Sequence, residues 1–251
     1  MPNTLIHPAV TKIERPMSLL CVGNSFFFFN NGICRFLRLL LKGLEHPPKF
    51  RTNMVTINGG SLSWHDVESY FKPNGISSYA FDKDNNVVFR DPSEKLWDAV
   101  LLLDSSQGPI HPVLGPQFAA EAKKDAEIVR RHGATPVFVT TWAYRGKPEM
   151  TEQLANAVVK VANENEALVV PVGPAFADAM ANRPGLDLII EDGRHPTPAG
   201  TFLFALVIIE AVLNIDVRTI KGTPFVDADL GEYLKASAHQ TVAEFLGRSA
   251  S

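Results

Sequence analysis

Short apolar runs alternate with longer segments of helical spacing along most of the chain. Five of the runs have the length and the β-branched or aromatic content of buried strands, at residues 18–22, 53–57, 99–103, 136–141 and 168–172. Helical segments separate these runs, so the strands are expected to lie parallel, with each connection crossing over the sheet. The pattern therefore predicts a parallel sheet of about five strands.

The segments between the runs have apolar residues at helical intervals, at residues 32–44, 117–132, 150–164 and, as a closing apolar helix, 201–213. Helices that connect parallel strands cover both faces of their sheet. The predicted fold is therefore an α/β three-layer sandwich. Between the second and third runs, residues 74–92 are rich in Asp, Asn, Ser and Gly, and Val87-Val88-Phe89 predicts a small hairpin or an excursion near the site.

One core can serve a chain of 251 residues, and no linker divides it. Residues 1–17 are polar and contain prolines, and we interpret them as an N-terminal extension. The domain itself is assigned to residues 18–220. Residues 221–251 combine turn signals with an amphipathic helix at 230–246, which predicts a helical tail packed on the domain or on a partner subunit.

Charge and composition narrow the classes of partner. The net charge is -3 with the signs interspersed, so there is no basic stripe for nucleic acid. The N-terminus lacks the features of a secretory signal, and no apolar stretch reaches the roughly 20 residues of a membrane helix. We therefore expect a cytoplasmic protein that binds neither nucleic acid nor membrane. Cys21 and Cys34 are expected to be free buried thiols, although a disulfide between them stays open.

The first strand ends in Val22-Gly23-Asn24-Ser25. Ligands of open parallel sheets bind beyond the carboxyl ends of the strands, which is where Ser25 is expected. Glycine permits a tight turn into the next helix, and backbone N–H groups at a helix start are free to bind an oxyanion. The alternative interpretation is that Ser25 only caps the helix.

A second candidate segment is Asp192-Gly193-Arg194-His195-Pro196, before the final apolar helix. An Asp three residues before a His can orient the imidazole and stabilise its protonated form. The following prolines restrict the backbone at that point. The alternative is an Asp turn with a surface His before a helix that starts with proline.

Taken together, these blocks resemble the SGNH (GDSL-like) hydrolases, in the subgroup with Gly-Asn-Ser. The resemblance rests on Gly23-Asn24-Ser25, Asn58-Gly59-Gly60 and Asp192-x-x-His195-Pro196, and it spans residues 18 to about 213. It implies the flavodoxin-like sandwich of that family. It also implies Ser25 as nucleophile, His195 as base and then acid, Asp192 as its orienting group, and the amides of Ser25 and Gly60 as oxyanion donors, with Gly59 as the alternative.

Two departures from the family pattern matter. Asn24 replaces the commoner Asp, a change that preserves hydrogen bonding around the turn. The Gly-x-Asn-Asp block, whose Asn is the family's third oxyanion donor, is absent, and the chain has Asp104-Ser105-Ser106-Gln107 there. Ser105 aligns best, but the Gln107 side chain has the amide chemistry of Asn. We predict Gln107 as the third donor.

A phenylalanine run, a histidine and a tryptophan are also candidates for the surroundings of the predicted site. The Phe26 to Phe29 run is interpreted mainly as buried against the next helix, with an acyl-pocket lining as the alternative. His65 is interpreted as a helix-surface residue, with the rim of the site as the alternative. Trp142 ends the fourth strand and is predicted to form a pocket wall. No zinc-type spacing is present, so we expect no metal.

The leading hypothesis is hydrolysis of an acyl ester of a small molecule or a carbohydrate through an acyl-enzyme on Ser25, with no cofactor. The alternatives are acyl transfer by the same triad and a non-catalytic ligand-binding module of the same fold. A nucleotide-binding domain is disfavoured because Gly23-Asn24-Ser25-Phe26 lacks the glycines that admit a pyrophosphate. A homo-oligomer stays open.

Overall fold

The computed structural model describes residues 5–73, 75–77, 79–91 and 93–249. Its strands are β1 (Ser18–Gly23), β2 (Arg51–Thr56), β3 (Tyr79–Phe81), β4 (Val87–Phe89), β5 (Ala99–Leu102), β6 (Thr135–Val139) and β7 (Leu168–Val170). The central sheet has the order β2-β1-β5-β6-β7, and all of its pairings are parallel. The predicted parallel sheet of five strands is confirmed.

The helices are α1 (Ser25–Phe28), α2 (Ile33–Leu41), α3 (Val67–Tyr70), α4 (Leu114–Arg131), α5 (Met150–Glu164), α6 (Val172–Asn182), α7 (Pro198–Leu213) and α8 (Ala228–Phe245). α4 and α5 pack on the strands from β5 to β7, whereas α2 packs with α7. Right-handed crossovers put these two pairs on opposite faces of the sheet, because the chain moves one way from β1 to β2 and the other way afterwards. The result is the predicted three-layer sandwich.

The core lies between these layers. β1 and β5 are buried along their whole length, as expected for strands that helices cover on both faces. α7 is buried on nearly every side, because α2, α6 and α8 surround the part that does not face the sheet. No helix of the described residues is both long enough and apolar enough to cross a membrane.

The short α3 and the longer α6 were not predicted. α6 begins at Val172, two residues after β7 ends at Val170. The last residue of the strand predicted at 168–172 therefore belongs to this helix. Its first turn contains Gly173 and Pro174, two residues that usually mark a break in a sequence pattern. Proline is tolerated in a first helical turn because its missing N–H has no partner there in any case.

The described parts of the N-terminal extension and of the C-terminal tail pack on the rest of the chain. In the N-terminal extension, the Ile6 amide donates to the Asn156 side chain at 2.7 Å, and Val10 forms a parallel bridge with Leu168. In the C-terminal tail, α8 packs on α6 and α7 of the same chain.

The hairpin of β3 and β4 is exposed. Asn74, Ser78 and Pro92 of the predicted 74–92 segment lie outside the described residues. Cys21 is buried and Cys34 is half-buried, and both are free.

Candidate active site

The carboxyl end of β1 leads directly into α1 through a buried asparagine. Asn24 is the residue that caps α1, and its side-chain oxygen accepts from the Phe26 amide at 3.2 Å. Its Nδ2 donates to the carbonyls of Gly60 and Asp104, both at 3.0 Å. Asn24 therefore joins the segments that follow β1, β2 and β5, and its side-chain amide is occupied by the backbone. It is a residue that positions the turn around Ser25.

Three side chains from distant parts of the chain form a continuous hydrogen-bonded series. Ser25 Oγ lies 2.8 Å from His195 Nε2, and His195 Nδ1 lies 2.5 Å from Asp192 Oδ2. The other carboxylate oxygen of Asp192 accepts from the amides of Arg194 and His195, at 2.8 and 2.9 Å. Partial burial acts to raise the pKa of Asp192, but the hydrogen bonds from His195 and these amides outweigh it and lower the pKa to about 2. Asp192 is therefore ionised at neutral pH.

Aromatic rings hold the imidazole of His195 in this orientation. The Phe29 ring stacks on it at a centroid distance of 4.1 Å, and the Phe26 ring meets it edge-on at 5.5 Å. Phe26 and Phe27 are themselves buried, as most of the phenylalanine run was expected to be. Packing on two sides restricts rotation of the ring and keeps Nε2 directed at Ser25.

The segment that carries Asp192 and His195 has no regular secondary structure, and residues after β6 hold it. Trp142 Nε1 donates to the carbonyl of Arg194 at 2.7 Å, and the Arg145 amide donates to that of Gly193 at 3.0 Å. Arg145 Nη1 also pairs with Asp187 at 2.8 Å. Contacts from Trp142 and Arg145 therefore fix the backbone of this segment.

Trp142 was predicted to form a pocket wall, and it lines a cavity of about 770 Å³ beside α6 instead of the cleft at Ser25. Its indole is only 1% exposed and is packed between the rings of Phe26 and Phe176, each at a centroid distance of 4.4 Å. It contacts the segment that carries Asp192 and His195 from the side away from the cleft at Ser25. A buried tryptophan needs a hydrogen-bond acceptor, and here that acceptor is the carbonyl of Arg194.

The cleft at Ser25 has a volume of about 200 Å³ and is lined by Asn24, Ser25, Phe26, Asn58, Gly59, Ser105, Ser106, Arg194 and His195. Gly60, the predicted oxyanion donor, is absent from this lining, and its N–H donates to the carbonyl of Ile57 at 2.9 Å. The turn that this bond closes leaves Gly59 at the cleft with φ +68, and the Gly59 N–H has no acceptor among the described residues. The alternative donor, Gly59, therefore fits better.

The predicted third donor is also misplaced. Gln107 is exposed and does not line the cleft, because the chain turns there into a short 3-10 helix that starts at Gly108. Ser105 lines the cleft, and Ser106 also does, with its hydroxyl hydrogen-bonded to that of Tyr144. Two asparagines line the cleft, Asn24, whose side-chain amide is occupied by the backbone, and Asn58. Sequence reasoning missed Asn58, although it stands in the Asn-Gly-Gly block.

His65 fits neither predicted position. It is 3% exposed and lies below the end of β1, where Nε2 is 2.9 Å from the carbonyl of Gly23 and Nδ1 is 2.9 Å from the hydroxyl of Tyr70. A carbonyl only accepts, so Nε2 carries the proton and Nδ1 accepts from Tyr70. Burial lowers the pKa of His65 despite the bond to Gly23, and a neutral ring results.

A group of potential metal ligands lies elsewhere. Oxygen or nitrogen atoms of Glu210, Asp216 and His239 lie within 4.8 Å of one another, between α7 and α8. Protein groups already use most of these atoms, although His239 Nε2 has no partner among the described residues. His239 Nδ1 pairs with Glu210 at 3.1 Å, and the Arg218 guanidinium binds both oxygens of Asp216. We interpret the group as an ion-pair network.

Comparison with known proteins places the fold. No family model and no curated protein matches the chain. Among solved structures, a DUF4886 family protein from Bacteroides uniformis has a TM-score of 0.61 and 20% identity, over 90% of this chain and 94% of its own. A protein from Slackia heliotrinireducens that is named for the SGNH hydrolases has a TM-score of 0.59 and 23% identity, over 78% and 98%.

A third similar structure is Axe2, an acetylxylan esterase from Geobacillus stearothermophilus. Its TM-score is 0.54 and its identity 16%, over 86% of this chain and 99% of its own. At these identities the similarity concerns the fold, and it agrees with the sheet order and the sandwich described above. The chain therefore has the SGNH hydrolase fold, as the resemblance of its sequence blocks implied.

Proposed function

We propose that the protein is a serine esterase that cleaves an acyl ester of a small molecule or a carbohydrate. The observation that carries this proposal is the series Ser25 Oγ, His195 and Asp192, with separations of 2.8 and 2.5 Å, at a cleft open to solvent. A serine that only capped α1 would have no reason to contact a histidine that a carboxylate orients. The ionised Asp192 requires the Nδ1 proton of His195, which leaves Nε2 free to accept from Ser25.

The reaction follows from these positions. Ser25 Oγ attacks the ester carbonyl carbon while its proton passes to His195 Nε2, and the carbonyl oxygen becomes an oxyanion. When this intermediate collapses, His195 returns the proton to the leaving alcohol and the acyl group stays on Ser25. Water then attacks the acyl-enzyme, with its proton taken by His195, and the carboxylic acid leaves as Ser25 regains a proton. Asp192 stabilises the protonated imidazole in both steps.

Two backbone N–H groups support binding of the oxyanion. Those of Ser25 and Gly59 have no acceptor among the residues that the structure describes, and both residues line the cleft. Donors that are already oriented and unpaired stabilise a developing negative charge without reorganisation. We assign them as the oxyanion donors of the proposed reaction.

The dimensions of the cleft favour a small acyl group. A volume of about 200 Å³ has room for an acetyl or another short chain, and Phe26 supplies an apolar side. A similar fold occurs in Axe2, which is named as an acetylxylan esterase. We therefore favour O-acetyl esters, including those on carbohydrates, over long-chain lipids.

The test is release of 4-nitrophenol from the acetate and butyrate esters by the wild-type protein and by Ser25→Ala and His195→Ala. The matched controls are Ser237→Ala, on α8, and His46→Ala, at an exposed position. We expect both site variants to lose activity by about a thousandfold or more and both controls to retain it. Acetate should be the better substrate, and a fluorophosphonate should label Ser25.

Folding of each variant is checked by circular dichroism. A wild-type protein that neither hydrolyses the esters nor reacts with the fluorophosphonate would overturn the proposal in favour of a ligand-binding module. Acyl transfer is separated from hydrolysis by adding an acceptor alcohol and analysing the products. A new ester in excess of the free acid would indicate a transferase that uses the same three residues.

A further inference from the structure

Arg194 lies at the rim of the proposed active site, and its backbone is fixed at both ends. Its N–H donates to Asp192 Oδ1 at 2.8 Å, and its carbonyl accepts from Trp142 Nε1 at 2.7 Å. It directly precedes His195 and lines the same cleft. The starting point of the Arg194 side chain is therefore set by the contacts that also position His195.

Within the described part of the chain, the Arg194 guanidinium has no acceptor. It lies over the ring of Tyr144, with its central carbon 5.8 Å from the ring centroid, and Tyr144 is in turn hydrogen-bonded to Ser106 of the cleft. Among the described residues, no carboxylate lies within 4.0 Å of it and no hydrogen bond starts from its nitrogens. The neighbouring Arg145 differs, because it pairs with Asp187 and binds two backbone carbonyls.

The other charged groups of the cleft are already paired or buried. Asp192 uses its two oxygens for His195 and for two amides. Asp104 is 4% exposed, below the cleft floor, and accepts from the Leu62 amide at 2.8 Å. The Arg194 guanidinium therefore offers a positive charge with a planar set of donors that matches a carboxylate.

We propose that Arg194 binds a carboxylate of the substrate, so that the preferred ester is an anionic one. This inference rests on the proposed esterase function and names its substrate class. Arg194 and Ser25 line the same cleft of about 200 Å³, so the carboxylate is expected a few atoms from the scissile carbonyl. The carboxylate can belong to the acyl group or to the alcohol, and the experiment distinguishes these two sources.

The experiment measures kcat/KM for two matched pairs of esters. The acyl-side pair is mono-4-nitrophenyl glutarate and its methyl ester, corrected for uncatalysed hydrolysis. The alcohol-side pair is 4-acetoxybenzoate and its methyl ester, followed by release of the phenol. We define the charge preference as kcat/KM of the anionic ester divided by that of the neutral one.

We expect the wild-type protein to show a charge preference of about tenfold in one of the two pairs, since a charge-assisted bidentate contact is worth that much. Arg194→Gln should bring this ratio to about one, and Arg194→Lys should give an intermediate value, because it keeps the charge and loses the fork. The ratio should also fall as salt is added.

Arg35→Gln is the matched control. Arg35 is also exposed and stacks on a ring, that of Phe225 at 4.9 Å, but it lies on α2 and does not line the cleft. Arg35→Gln removes the same positive charge as Arg194→Gln, but away from the cleft. The charge preference should therefore stay at the wild-type value. A general effect of net charge would instead lower the ratio in both variants.

Two results would overturn the inference while leaving the esterase proposal intact. One is hydrolysis of the neutral esters with no preference for the anionic member of either pair. The other is a preference that Arg194→Gln and Arg194→Lys both leave unchanged. A protein that hydrolyses no ester and resists the fluorophosphonate would overturn the proposed function first, and this inference with it.

Discussion

The backbone that leads to Ser25 is fixed by contacts of Gly23 at the end of β1. Gly23, two residues before Ser25, has little space for a side chain, because a Cβ there would lie 2.9 Å from the Phe27 ring and 3.1 Å from the Leu103 carbonyl. The carbonyl of Gly23 accepts from the buried His65. These contacts fix the backbone that leads to Ser25, the proposed nucleophile, and they give the Nε2 proton of the buried His65 an acceptor.

The side-chain amide of Asn58 is predicted to assist catalysis, and that of Gln107 is not. We expect Asn58→Ala to lower kcat on 4-nitrophenyl acetate by about ten- to a hundredfold, because it removes an amide donor from the cleft. Gln107→Ala removes the same chemical group from an exposed position and should change kcat by less than about twofold. Equal effects of the two substitutions would contradict this assignment.

At the scale of elements, the position of the segment that carries Asp192 and His195 depends on α6. Gly173, in the first turn of α6, lies so close to the chain after β6 that a Cβ would come within 2.2 Å of the Thr141 carbonyl. The Gly173 amide donates to the Thr140 hydroxyl at 3.0 Å. Trp142, the residue after Thr141, donates its indole N–H to the carbonyl of Arg194. A shift of α6 would therefore displace Thr141 and Trp142, and through the bond to Arg194 it would also displace His195.

Gly173→Ala is therefore expected to affect both stability and turnover. The added methyl group forces α6 away from a backbone carbonyl, which should cost about 3 kcal/mol of unfolding free energy. Displacement of Trp142 should also lower kcat. Urea unfolding and kcat on 4-nitrophenyl acetate measure the two effects. The control Ala181→Gly, at an exposed position of α6, should cost about 1 kcal/mol and leave kcat unchanged.

At the scale of the whole molecule, one buried carboxyl sets an expected dependence of stability on pH. Asp125 of α4 is 0% exposed, and neither of its oxygens has a hydrogen-bond partner among the described residues. Burial raises its pKa to about 7, with Lys124 opposing and Glu121 adding to this shift. The folded state therefore holds the proton more tightly than the unfolded state, in which the pKa is about 4.

The sign of the effect follows from this difference. Between about pH 4 and pH 7 the folded protein binds more protons, so its unfolding free energy falls as pH rises through this window. Asp125→Asn cannot ionise and should be more stable than wild type by about 2 kcal/mol at pH 8, with little difference near pH 4. Urea unfolding at several pH values measures this. Glu127→Gln, at an exposed position of α4, should leave the pH profile unchanged.

Much of the architecture was determined locally by the sequence. The order of apolar runs and helical segments specifies a parallel sheet, since each strand and helix follows from the periodicity of its own residues. The Asp192 and His195 contact is also local, because three residues separate them. Ser25 was identifiable from its place after a strand end. α6 was missed because its glycine and proline resemble a break, and only packing against Thr141 explains the glycine.

Tertiary structure alone decided the details of the cleft, because they depend on how loops from different strands meet. The turn closed by Gly60 presents Gly59 and Asn58, and the short helix after β5 turns Gln107 away. Trp142 and Arg194 are 52 residues apart in the sequence and share a hydrogen bond that no local pattern encodes. The tertiary structure also decides that no carboxylate of the described residues lies near the Arg194 guanidinium, because the carboxylates of the chain come from many separate elements.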